Sequence, residues 1–166
     1  MSYNKLKSLV ANVEAIATAM KIRIDDRQAT DQEKEVLSRY SGFGGIKDVL
    51  SIGTEHTVSN DVAEHIHRLQ DLIEAYPYYD DAMRQAVIDS IKSSVLTAFY
   101  TPKFLIDAVA RQIHATFMDN GLQMRTFLEP SAGIGGFLPV AMPDTRGYAF
   151  EKDCLTGLIL SLLHDK

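Results

Sequence analysis

The chain has 166 residues, 46% of them apolar, and a formal net charge of −5. That is enough apolar material for a packed core, and the lone Cys154 excludes an intrachain disulfide, as suits a reducing cytoplasm. No run of Lys or Arg is present to neutralise phosphates, and the longest strongly apolar stretch, Leu155 to Leu163, is too short to span a bilayer, so tight DNA binding by this chain alone and membrane insertion are both unexpected.

Residues 5 to 20 carry Leu6, Leu9, Val10, Val13, Ile16, Ala17 and Met20 at helical spacing. Thr30 and Glu33 then form a capping-box pattern that predicts a short helix through Val36 and Leu37. That helix is expected to run into Ser41-Gly42-Phe43-Gly44-Gly45, where glycine permits positive φ. Residues 46 to 52 are expected to add a turn or two. A longer helix is predicted from about Asn60 to Ala75, with Val62, Ile66, Leu69 and Ile73 on one face, broken by Tyr76-Pro77-Tyr78-Tyr79. Another, about 81 to 97, presents Met83, Val87, Ile88, Ile91 and Val95. Thr101-Pro102 reads as an N-cap followed by proline at the first helical position. The buried stripe of that helix is expected to be Ile106, Val109, Ala110, Ile113 and Phe117, with Asn120-Gly121 closing it.

After Gly121 the texture changes. Residues 125 to 128 and 147 to 150 are strand candidates, separated by a glycine-bearing loop, and residues 154 to 163 form an apolar helix. Strand, crossover, strand, helix is the opening of a parallel α/β sheet. The expected fold class is therefore mixed α/β: a helical part over residues 1 to 96, then the start of a Rossmann-like sheet over 97 to 166.

The chemistry-bearing feature is Phe127-Leu128-Glu129-Pro130-Ser131-Ala132-Gly133-Ile134-Gly135-Gly136-Phe137. An acid ends a strand, a tight glycine loop follows, and a helix is expected to begin. Such a loop brings backbone N–H groups close to a ligand, and Glu129 suits an ammonium or a fixed water. The next acid at a strand end is Glu151, placed as a ribose-binding acid is in nucleotide-like sites. A dinucleotide fingerprint is incomplete, because Leu138 stands where its last glycine belongs. A plain strand-to-helix turn accounts for the glycines alone, but not for Glu129 and Glu151 beside them.

Glu129 to Phe137 resembles the AdoMet-binding motif I of amino-type DNA methyltransferases. Ala98-Phe99-Tyr100-Thr101-Pro102, about 30 residues upstream, is similar to motif X of that family, which lies across the methionine end of AdoMet. Glu151 matches the ribose acid of motif II. The order X, I, II resembles the N6-adenine group in which target recognition follows the catalytic domain. Leu37 to Gly45 looks like the segment preceding the methylase part of large methylase–helicase fusions of mobile elements. The resemblance implies an S-adenosyl-L-methionine site in which Phe99, Tyr100 and Thr101 border the methionine moiety and Glu129 engages its ammonium. Pro130, Ser131, Ala132, Gly133, Gly135 and Phe137 would wrap the cofactor, with Glu151 on the ribose and Lys152 beside the adenine.

Two departures stand out. Lys152 occupies a position that is usually apolar in the family. The catalytic Asn/Asp/Ser-Pro-Pro-Tyr/Phe loop is missing, since no Pro-Pro occurs in the chain. In the family that loop clamps the amino group of a base flipped out of the duplex. The 166 residues therefore supply no catalytic residue, and are expected to be an inactive, truncated or split portion of the enzyme. DNA would be reached through downstream regions. The open edges of a two-stranded sheet and the 155–163 helix are expected to pack on the N-terminal helices or on another copy. A non-catalytic scaffold derived from a methyltransferase, and a protein or RNA methyltransferase, are the alternatives. His65 and His67 point in different directions on a helix and are not expected to share a metal. Tyr76, Tyr78 and Tyr79 read as an interhelical corner or, alternatively, a base-stacking surface.

Overall fold

The computed structural model describes residues 4–54 and 60–164. Helix α1 (Lys5–Ile24) is the central support of the helical part. The side chain of Asn4 caps it by accepting from the Lys7 N–H. The buried face is Leu9, Asn12, Val13, Ala15, Ile16, Ala19, Met20 and Ile22. It is rotated from the expected stripe, with Val10 and Ala17 only half-buried and Leu6 exposed. The capping box forms as predicted and starts α2 (Asp31–Leu37): Thr30 Oγ1 accepts from the Glu33 N–H, and Glu33 returns a carboxylate to the Thr30 N–H. Arg27 pairs with both Glu33 oxygens and, with the Thr30 N–H, holds that carboxyl down to about 2. Helix α2 stops at Leu37, before the glycine segment. Residues Lys47–Ser51 form a 3₁₀ helix rather than an α-helical turn.

Helices α3 (Asn60–Ala75) and α4 (Asp81–Ser94) follow at the expected places. Val62, Ile66, Leu69 and Ile73 are buried, as are Val87, Ile91 and Val95. Met83 is a correction: it is exposed, because it lies in the first turn of α4, one turn before the first buried residue, Val87. Tyr76, Tyr78 and Tyr79 make the interhelical corner, with Tyr76 buried and its ring edge-on to both others.

Helix α5 (Lys103–Asp119) departs most from expectation. Pro102, not Thr101, is the N-cap, and no side chain caps the helix. Its predicted stripe is not buried: Ile106, Ala110, Ile113 and Phe117 are half-covered and Val109 is exposed. Helical spacing identifies an apolar face, but only a neighbour can bury it. The neighbour here is small, a 3₁₀ turn at Leu138–Val140 to which His114 is tied through the Val140 carbonyl oxygen.

Strands β1 (Thr126–Glu129) and β2 (Arg146–Ala149) pair in parallel, Thr126 opposite Arg146 and Glu129 opposite Ala149. The glycine loop after β1 leads into the short 3₁₀ turn and not into the expected α-helix. Positive φ at Gly135, then Pro139 without an N–H, interrupt helical propagation. Helix α6 (Cys154–Leu163) packs against α1, α2 and α4, so Leu155 and Ile159 complete the helical core. The strands do not join it; β2 is exposed along its whole length. The molecule is thus mixed and mostly helical, with one two-stranded parallel sheet among the described residues. No helix among them is long and apolar enough to cross a membrane.

Candidate cofactor site

Two segments far apart in sequence enclose one cavity of about 250 Å³. Phe99, Tyr100 and Thr101 line it from one segment, Glu129 and Ser131 to Gly133 from the other, and Ile106 and Phe137 add to the lining. Thr101 faces this cavity instead of capping α5. Glu129 is the one charged residue in the lining.

The loop is held by its own acids. Phe150 N–H donates to the Glu129 carbonyl, and Ala132 N–H donates to the Phe150 carbonyl, each at 2.9 Å. Glu129 Oε1 accepts from the Ser131 N–H at 3.3 Å. Glu151 Oε2 accepts from the Gly133 N–H and its Oε1 from the Asp153 N–H, both at 2.8 Å. The first N–H groups of the loop therefore point at carboxylates and a carbonyl, which leaves a negatively biased cavity unsuited to a phosphate.

The other sequence-predicted residues lie around this cavity rather than in its lining. Pro130 is exposed at the turn, and Lys152 is exposed beyond Glu151. Gly135 is buried beneath His164, whose Nε2 bonds to the Ile134 carbonyl oxygen at 3.0 Å. Glu151 lines a second cavity of about 320 Å³, which shares Phe99, Tyr100, Ser131 and Gly133 with the first. It also borders a wider cleft of about 760 Å³ between β2 and α6.

Asp153 and Thr156 carried no sequence signal of their own, whereas Tyr100 and Tyr40 lie in segments already singled out. Tyr100 lies over Gly133, and partial burial pushes its phenol up to about 12. Thr156 Oγ1 lies 3.3 Å from the Tyr40 hydroxyl, and burial pushes the Tyr40 phenol well above its ordinary value. Asp153 caps α6 through the Thr156 N–H at 2.7 Å and accepts from Ser90 Oγ at 2.5 Å. This network ties α4, α6 and Tyr40 together along the second cavity. Asn12 is a signal that was available: it stands three residues after Leu9 and four before Ile16, inside the buried stripe of α1.

Comparison with protein-family models, with curated proteins and with solved structures finds no match.

Proposed function

We propose that this chain carries the AdoMet seat of a methyltransferase of the N6-adenine DNA class, at the start of a Rossmann-like sheet. The observation that carries the reading is the meeting of the Phe99–Thr101 and Glu129–Phe137 segments around one aromatic-walled cavity whose only charge is Glu129. Such a lining favours a cation: aromatic faces attract onium groups, and a carboxylate pairs with an ammonium. AdoMet carries both, a sulfonium that donates the methyl group and an amino-acid ammonium.

The volume also fits. A cavity of about 250 Å³ falls just below the range of roughly 300–1,000 Å³ that holds a whole drug-sized ligand. It suits the methionine end, with the nucleoside extending past Glu151. A carboxylate offers about four lone-pair positions; Glu151 uses two on backbone N–H groups and retains acceptors for ribose hydroxyls. Phe99, Tyr100 and Thr101 border the methionine, Glu129 holds its ammonium, and the 130–136 loop shapes the wall. These residues bind and orient a methyl donor. The acceptor clamp is absent from the 166 residues, so this chain alone is inactive, and DNA contact comes from elsewhere in the enzyme. The half-covered apolar face of α5 and the open edges of the β1–β2 pair suit a sheet that continues beyond two strands.

Calorimetric titration with AdoMet tests the reading. Wild type is expected to bind, and Glu151→Ala to bind about 10- to 150-fold more weakly, as for a lost hydrogen bond to a charged group of about 1.5–3 kcal/mol. No heat from folded protein at millimolar ligand would favour the non-catalytic scaffold instead.

A further inference from the structure

The glycine segment Ser41–Gly45 has no place in the cofactor site as described, yet it lies directly behind it. Gly42 and Gly44 are packed against Ala98: a Cβ at Gly42 would approach the Ala98 Cβ to 2.9 Å, and one at Gly44 would overlap the Ala98 carbonyl oxygen. The Gly45 N–H donates to the Val95 carbonyl at 2.9 Å. The Tyr100 hydroxyl lies 3.5 Å from the Cβ position of Gly42, and one edge of its ring lies at Gly133, with Cε1 3.1 Å from the Cβ position there. Tyr100 therefore touches both glycine loops.

The Ser41–Gly45 loop is itself held from below by one side chain. Asn12 is fully buried in α1. Its Nδ2 donates to the Gly42 carbonyl at 2.6 Å, and its Oδ1 accepts from the Ser41 N–H at 2.8 Å. A side-chain amide is suited to this double grip because it carries a donor and an acceptor side by side. An apolar side chain would leave the buried Gly42 carbonyl and the half-buried Ser41 N–H without that partner, and each such loss is costly.

We propose that Asn12 is a positioning residue for the cavity: by gripping Ser41 and Gly42 it fixes the shelf that holds Tyr100 over Gly133. The relay runs from α1 through the glycine loop to the aromatic wall and then to the Glu129–Phe137 loop. Its bearing on cofactor affinity rests on the AdoMet reading above; its bearing on Tyr100 does not.

The test uses the full chain labelled with 3-fluorotyrosine, with the Tyr100 fluorine signal assigned through Tyr100→Phe. Asn12→Ala and Gly44→Ala act on the relay from opposite sides, one by releasing the loop and one by crowding it against Ala98. Either suffices if the other fails to fold. Ala15→Gly weakens the same helix without removing a hydrogen bond to the loop and controls for general loss of stability. The Tyr100 signal is expected to shift or broaden in Asn12→Ala and Gly44→Ala, to stay in place in Ala15→Gly, and AdoMet affinity is expected to fall about tenfold in the first two. The Tyr148 signal, on β2, serves as the internal reference. An unmoved Tyr100 signal in either folded relay variant overturns the proposal, as does an equal shift in Ala15→Gly. Wild-type AdoMet affinity in a variant with a displaced Tyr100 also overturns it. A displaced Tyr100 in protein whose wild type binds no AdoMet overturns the cofactor reading and leaves the relay standing.

Discussion

Gly133→Val is expected to abolish useful AdoMet binding while leaving the helical core folded. Gly133 has φ +55°, a left-handed conformation that a β-branched residue adopts only under strain. Its N–H is bonded to Glu151, and its missing Cβ is where the Tyr100 ring lies. A side chain there must displace Tyr100, the Glu151 contact or the loop itself, and each of these shapes the cavity. Backbone strain of this type costs about 1–3 kcal/mol. If the loop escapes the strain by leaving its binding pose, the same energy returns as a loss of affinity of roughly 5- to 150-fold, before the displaced ring is counted. Gly121→Ala is the matched comparison. Gly121 also has positive φ, but it sits at the end of α5 with open space around its Cβ position. It should lose stability and keep its affinity. Calorimetry and thermal unfolding on both variants separate strain at the site from strain elsewhere.

Ile159→Ala should lower the unfolding midpoint of the whole helical part. Ile159 is fully buried, and α6 packs on α1, α2 and α4. Truncating a core isoleucine to alanine costs about 2–5 kcal/mol. In a protein of this size each kcal/mol moves the midpoint by about 2–4 °C, so a fall of roughly 4–20 °C is expected. Met118→Ala, at an exposed position on α5, should change stability by no more than about 0.5 kcal/mol. Circular dichroism melts decide the matter. If Ile159→Ala melts the helices of residues 5–94 at the wild-type temperature, α6 is not part of their core.

The parts of the fold that follow from local chemistry were readable in the sequence. The Thr30–Glu33 capping box is complete within four residues, and it forms as written. The helix breaks at Tyr76-Pro77 and Asn120-Gly121 depend on φ preferences and missing donors, and they too are local. What escaped depends on neighbours. The α5 stripe is apolar at the right spacing, but only the small Leu138–Val140 turn and its surroundings cover it. Thr101 has the chemistry of an N-cap and instead faces the cavity, a choice made by the packing of Tyr100 on both glycine loops. The helix expected after Gly136 is reduced to a 3₁₀ turn, where Pro139 follows a glycine already committed to positive φ.

The site shows the same division. Glu129, Gly133 and Glu151 could be selected from residue type and order, because an acid, a tight loop and a second acid are what such a cradle requires. Their closure on one another, with Glu151 accepting from the Gly133 N–H, follows from the parallel pairing of β1 and β2. Asn12 and Tyr40 belong to helices or loops more than fifty residues away in sequence. Their role depends on how the helical part folds beneath the Phe99–Thr101 segment.

That the two segments form one seat for AdoMet, as proposed, is tested most directly by amide NMR of the ¹⁵N-labelled chain. Addition of AdoMet should move the signals of residues 99–101 and 131–133 together, along one binding curve, while signals along α3 stay fixed. Signals that remain still at millimolar AdoMet, or that move only around Leu160 and His164 in the wider cleft, would contradict it.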